Sequence, residues 1–158
     1  MAPWQHRKQD WLASLAQLKP DLIINTGDNL GHRDGLTGIR RAFEPLAGIP
    51  GVFVHGSNDV IGPSPRNPIR YFAGPSERPR ELNFLDTDAM DAYFTDELGW
   101  TSLNNAAARL TVAGNPLDLF GVSDAHCDWD RLEDLPGAID SLGPRPSDTT
   151  VLLSLIHI

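Results

Sequence analysis

The chain has 158 residues, 41% of them apolar, and 13 Lys plus Arg stand against 21 Asp plus Glu for a formal charge of −8. That length suits one domain with its own core and is short for two, and the acidic balance excludes a sequence-independent nucleic-acid binder, which needs a basic patch. No apolar run reaches the roughly 18 residues of a bilayer span, and one cysteine, Cys127, excludes a disulfide framework; a soluble domain of a reducing, cytoplasmic compartment is expected.

Trp11, Leu12, Leu15 and Leu18 recur at a spacing of three and four, which predicts an amphipathic helix over Gln5 to Leu18, ended by Lys19-Pro20. Asp21-Leu-Ile-Ile-Asn25 follows as a short apolar run, read as a strand covered on both faces. Leu36, Ile39, Ala42, Phe43 and Leu46 predict a second helix over Leu36 to Leu46. Val52-Phe53-Val54 is a second buried strand, stopping at His55-Gly-Ser-Asn-Asp59. Alternating helices and strands of this kind imply βα units and a parallel sheet.

Five prolines between Ile61 and Glu81 exclude regular structure there, so a long loop is expected. Asp88 to Leu98 reads as helix. Arg109 to Val112 and Leu117 to Val122 read as a hairpin turning at Gly114-Asn115-Pro116. Asp128 to Leu142 is mixed and acidic, and Val151 to Ser154 is a last strand.

Open α/β sheets bind their ligands beyond the carboxyl ends of their strands. Two such ends are polar here: Asn25-Thr-Gly-Asp28-Asn29 and His55-Gly-Ser-Asn58-Asp59. Adjacent parallel strands would bring Asp28 and Asn58 to one rim, where a carboxylate and an amide oxygen offer hard donors to a divalent cation. The same residue types also serve as ordinary caps and turns, which is the competing reading for Asp28, Asn58 and Asp59. Asn29 and His32 are read as solvated loop residues beside the rim, with contact to substrate or to the groups behind the ligands as the alternative, and His55 as a half-buried structural histidine. Asp124 and His126 have a metal-competent spacing at another strand end, with a structural role as the equal alternative. Cys127 has no cation nearby to activate it. Arg66, Arg70, Arg78 and Arg80 would form a solvated basic loop, or grip a phosphate.

Leu22-Ile-Ile-Asn-Thr-Gly-Asp28-Asn29, followed by Gly51-Val-Phe-Val-His-Gly-Ser-Asn58-Asp59, resembles the second and third motifs of the calcineurin-like metallophosphoesterases. Leu119-Phe-Gly-Val-Ser-Asp-Ala-His126 is similar to a strand end in bacterial members, so the resemblance covers most of the chain. It implies a layered α/β/β/α sandwich and hydrolysis of phosphate mono- or diesters by a metal-activated water. The cofactor it implies is a pair of divalent ions such as Mn, Fe or Zn, and the substrate a small phosphate ester. Asp28 takes the position of the bridging metal ligand, and Asn58 that of a metal ligand assisting the chemistry.

Three departures qualify that expectation. The third motif here is Gly-Ser-Asn-Asp, so strict alignment puts Ser57 at the ligand position and Asn58 at that of the family's histidine. Either Asn58 shifts to supply the amide oxygen, or the histidine role is absent. The family's first motif, Asp-x-His, does not precede Trp4, and its later histidines, including Gly-His-x-His, are missing. The expectation is therefore a domain over residues 1–154 that is incomplete at both ends, with a non-native tail at 155–158. The competing expectation is a catalytically inert fragment that serves at most as a metal-binding or interaction domain.

Overall fold

A computed structural model describes residues 1–63, 83–125 and 128–144, together with the backbone of 150–154. The arginines of the proline-rich loop, His126, Cys127 and the 155–158 tail with His157 lie outside the described residues.

The described chain runs α1 (His6–Ser14), β1 (Ile23–Asn25), α2 (Gly35–Phe43), β2 (Gly51–Phe53), α3 (Ser57–Val60), α4 (Thr87–Ala92), β3 (Thr101–Ser102), β4 (Ala106–Val112), β5 (Asn115–Val122), α5 (Leu135–Ser141) and β6 (Thr150–Ser154). Short 3-10 turns extend α1 and α2, and a π turn, Tyr93–Glu97, extends α4. The result is a mixed α/β fold with two small sheets. In the first, β1, β2 and β3 are parallel with β2 central, Ile24 opposite Val52 and Val52 opposite Thr101. In the second, β5 is central, antiparallel to β4 and parallel to β6.

The buried sequence of β2 explains how the layers meet. Val52, Phe53 and Val54 have no exposed surface, and their side chains alternate between faces. Phe53 packs toward the helices with Phe43, Phe94 and Trp100. Phe43 meets Phe94 edge-on with ring centroids 5.3 Å apart, and Phe94 stacks on Trp100 at 5.3 Å. Val52 and Val54 face the second sheet through Leu103 and Leu119. The sheets approach so closely that a Cβ on Gly121 would lie 2.6 Å from Leu103 Cβ and 2.7 Å from Val54 Cγ1. A full side chain of this kind contributes roughly 1.5–3 kcal/mol when buried, so this two-sided strand anchors the core.

Several expectations change. Trp11 and Leu18 are 63% and 76% exposed, so they do not form the inward face of the first helix. Gln9 is buried in their place, donating 3.1 Å hydrogen bonds to the carbonyls of Ala2 and Pro3. The strand at 21–25 is not covered on both faces: β1 lies at the sheet edge and Ile24 is 45% exposed. The hairpin turns one residue earlier than expected, at Ala113-Gly114, both with positive φ (49° and 82°), as a tight two-residue hairpin turn requires. Asn115 and Pro116 then begin β5, opposite Val112 and Thr111. Pro116 precedes the stretch that pairs with β6, which starts at Asp118, so its missing N–H costs no ladder bond there. The two-residue β3 was not expected at all. Among the described residues no helix is long and apolar enough to cross a membrane.

Candidate functional site

The carboxyl ends of β1 and β2 are tied together by backbone. Val54 N–H donates to the Asn25 carbonyl at 3.0 Å, and Gly27 N–H to Asn25 Oδ1 at 3.1 Å. Gly27 has φ 96°, and a Cβ there would lie 2.3 Å from the Gly56 nitrogen. Only glycine lets the two loops touch at this point. Asp28 follows at φ 60°, a left-handed conformation that aspartate tolerates better than most residues.

That turn places Asp28 against the second loop. Asn58 N–H donates to Asp28 Oδ1 at 3.1 Å, and Asn58 Nδ2 donates to Asp28 Oδ2 at 3.0 Å. The two residues, 30 apart in sequence, therefore share one rim, with Asn58 exposed and Asp28 half-buried.

Asp59 holds the rim in shape. Its side chain is fully buried. Oδ2 accepts from Asp28 N–H at 2.7 Å and Gly56 N–H at 3.0 Å, while Oδ1 accepts from Asn29 N–H at 2.5 Å and Leu30 N–H at 2.8 Å. Burial pushes the Asp59 carboxyl above the usual carboxylate range, against the opposing pull of these N–H groups. Thr87 Oγ1 donates to the Asp59 carbonyl at 2.7 Å, which ties the start of α4 to the same loop. The turn reading of Asp59 is thus replaced by a buried clamp joining two strand ends. Its only sequence signal is an acid set against the apolar Val60-Ile61 pair.

A third strand end joins from the second sheet. Asp124 is fully buried after β5 and accepts from Ser57 N–H at 3.0 Å, so its carboxylate positions the loop that carries Asn58. His55 side-chain Nε2 lies 2.7 Å from Asp91 Oδ1 on α4, and the side chain is 16% exposed, which matches a half-buried histidine. His32 packs edge-on against Trp4 and accepts from Asp34 N–H at 3.1 Å. Met1 is buried beside the rim, its nitrogen donating to the carbonyls of Asn29 and Leu30. The Nδ2 atoms of Asn25 and Asn29 are buried with no hydrogen-bond partner among the described residues.

The side chains that meet at the exposed rim are the Asp28 carboxylate and the Asn58 amide, whose Nδ2 faces Asp28. Both are hard ligands suited to a divalent cation. Among the described residues no group of three or more His, Cys, Asp or Glu side chains is placed to hold a metal ion, so this pair is the donor set on which a metal reading rests. Ser57 belongs to the same loop, with its N–H committed to Asp124. No protein-family model matches the chain, and no curated protein matches it.

Proposed function

We propose that the chain is the core of a metal-dependent hydrolase of small phosphate mono- or diesters, built as the layered sandwich of the calcineurin-like metallophosphoesterases. The observation that carries this reading is the contact of Asp28 with Asn58 beyond the carboxyl ends of two adjacent parallel strands. That is where open α/β sheets place their ligands.

In this reading Asp28 supplies the anionic oxygens and Asn58 a neutral amide oxygen. The Asn58 amide now turns its Nδ2 toward Asp28. A half-turn of that exposed amide brings Oδ1 to the same place with no change of shape. Asp28 and Asn58 would hold a divalent ion such as Mn, Fe or Zn, which would supply Lewis acidity for the phosphate ester and for an attacking water; the resemblance implies two such ions. Asp59 and Asp124 act through the backbone: they fix the two loops, so that turning the Asn58 amide is the one rearrangement a cation asks of this pair.

The test is hydrolysis of 4-nitrophenyl phosphate and its bis-ester by the chain with Mn²⁺. Turnover that chelation abolishes and Asp28→Ala lowers by at least about a hundredfold supports the reading. Turnover surviving both treatments ends it. Mn²⁺ binding without turnover leaves the competing reading, a metal-binding domain that is catalytically inert.

A further inference from the structure

Beside the rim lies a cleft of about 530 Å³, bounded by His55, Val60, Asn104, Ser123, Trp129 and Arg131. Its walls come from the segments that follow β2, β3 and β5, from α3 and from the loop that precedes α5. The volume lies within the range of small-molecule sites, roughly 300–1,000 Å³.

Its floor is rigid. Asn105, at φ 52°, also lines the cleft and is used as a clasp. Its Oδ1 accepts from Ser123 N–H at 3.2 Å and Arg131 N–H at 3.0 Å, while Nδ2 donates to the Trp129 carbonyl at 2.9 Å and to Ser123 Oγ at 3.2 Å. Asn104 Oδ1 accepts from His55 N–H at 2.7 Å, which locks the second strand end to the third. These bonds consume the polar floor. Among the described lining residues the apolar surface left for a ligand comes from Trp129 and Val60, beside the charged Asp128, Arg131 and Asp134.

Those charges select against an anion. Arg131 shares the lining with Asp128 and Asp134, and its guanidinium lies 3.9 Å from the Asp134 carboxylate. With two carboxylates to one guanidinium among the described lining residues, the cleft does not favour a phosphate group. A flat, uncharged ring carrying hydroxyl or amino donors satisfies the carboxylates and stacks on the indole.

We propose that this cleft binds the organic half of the substrate, and that this half is a neutral aromatic or heteroaromatic alcohol of nucleoside size. The proposal rests on the phosphoesterase reading of the rim only in naming the bound group as the ester's alcohol; the binding itself needs no metal.

The experiment is calorimetric titration of the chain with adenosine in the presence of a chelator, with glycerol as the ring-free control. Adenosine is expected to bind saturably at one site and glycerol not at all. Trp129→Ala should weaken adenosine binding by about tenfold or more, as loss of one stacked aromatic does, whereas Trp129→Phe should stay within about threefold. In the wild-type chain, adenosine should shift the Trp129 indole N–H resonance, a readout that does not depend on how a variant folds. Failure of adenosine to bind better than glycerol, or an unmoved Trp129 resonance, overturns the proposal. Adenosine binding without ester hydrolysis upholds the cleft and removes the reading of the rim; hydrolysis without adenosine binding does the reverse.

Discussion

Four backbone N–H groups converge on the single carboxylate of Asp59, and this is the residue on which the rim depends. An ionised carboxylate has acceptor sites for all four, whereas an amide has one oxygen and turns donors toward the rest. Asp59→Asn should therefore destabilise the fold by about 2–4 kcal/mol, the cost of leaving one or two buried donors unmet. Urea unfolding measures it, and a loss below about 0.5 kcal/mol would show that the loops hold themselves. Asp28 and Asn58 were legible in sequence because strand ends followed by Gly-Asp and Gly-Ser-Asn place polar groups in a predictable crevice. Asp59 was not. Its partners lie up to 31 residues away, and an acid after a turn has the same local signature whether it caps, clamps or faces water.

The second helix came out as its apolar pattern implied, and the first departs from its own for a tertiary reason. Over α2, each of the apolar positions Leu36, Ile39, Ala42 and Phe43 reaches the core. Over α1 the pattern holds in part: Leu12 packs on the core, while Gln9 satisfies the carbonyls of Ala2 and Pro3 from inside and Trp11 faces outward. A Cβ on Gly38 would sit 2.7 Å from Gln9 Nε2, so α2 approaches α1 over that glutamine and no large apolar side chain fits between them. Such a contact is tertiary and leaves no mark on periodicity. The π turn after α4 carries a pH-sensitive element of its own. Tyr93 is buried, with its hydroxyl donating to the Arg40 carbonyl at 3.3 Å and the Arg40 guanidinium 4.6 Å from the ring centre. Burial pushes the phenol up to about 12 from an ordinary value of 10.0. A pKa raised on folding means that the stability is intact below the unfolded value and is lost as pH climbs through the folded one. Stability should decline between about pH 10 and 12, and Tyr93→Phe should flatten that decline; an identical decline in both proteins would remove Tyr93 as its source.

At the scale of the whole molecule, the rim exists because two sheets are packed closely enough for the end of β5 to reach the loop after β2. Gly121 sets that spacing: a side chain there would meet the Leu103 carbonyl at 2.3 Å. Gly121→Val should cost about 1–3 kcal/mol or more through overpacking, and should weaken the Asp124–Ser57 link as well as the core. Thermal unfolding and amide exchange at Ser57 would show both effects, and an unchanged stability would mean that the sheets separate freely. The α/β class and the parallel pairing were legible because alternating buried strands and amphipathic helices admit few arrangements. The edge position of β1, the two-residue β3 and the inter-sheet bond from Ser57 to Asp124 were not, since each depends on which elements become neighbours rather than on any local run of residues. The central claim is that Asp28 and Asn58 jointly hold a divalent cation, and Mn²⁺ titration by calorimetry tests it most directly. Wild type should bind saturably. Asp28→Asn, which keeps a residue suited to the left-handed φ of 60° at that position, and Asn58→Ala should each weaken that binding by about tenfold or more while leaving the unfolding midpoint nearly unchanged, because the bonds from Asn58 to the Asp28 carboxylate are exposed. Mn²⁺ binding of equal strength in all three proteins, or none in the wild type, would contradict the claim.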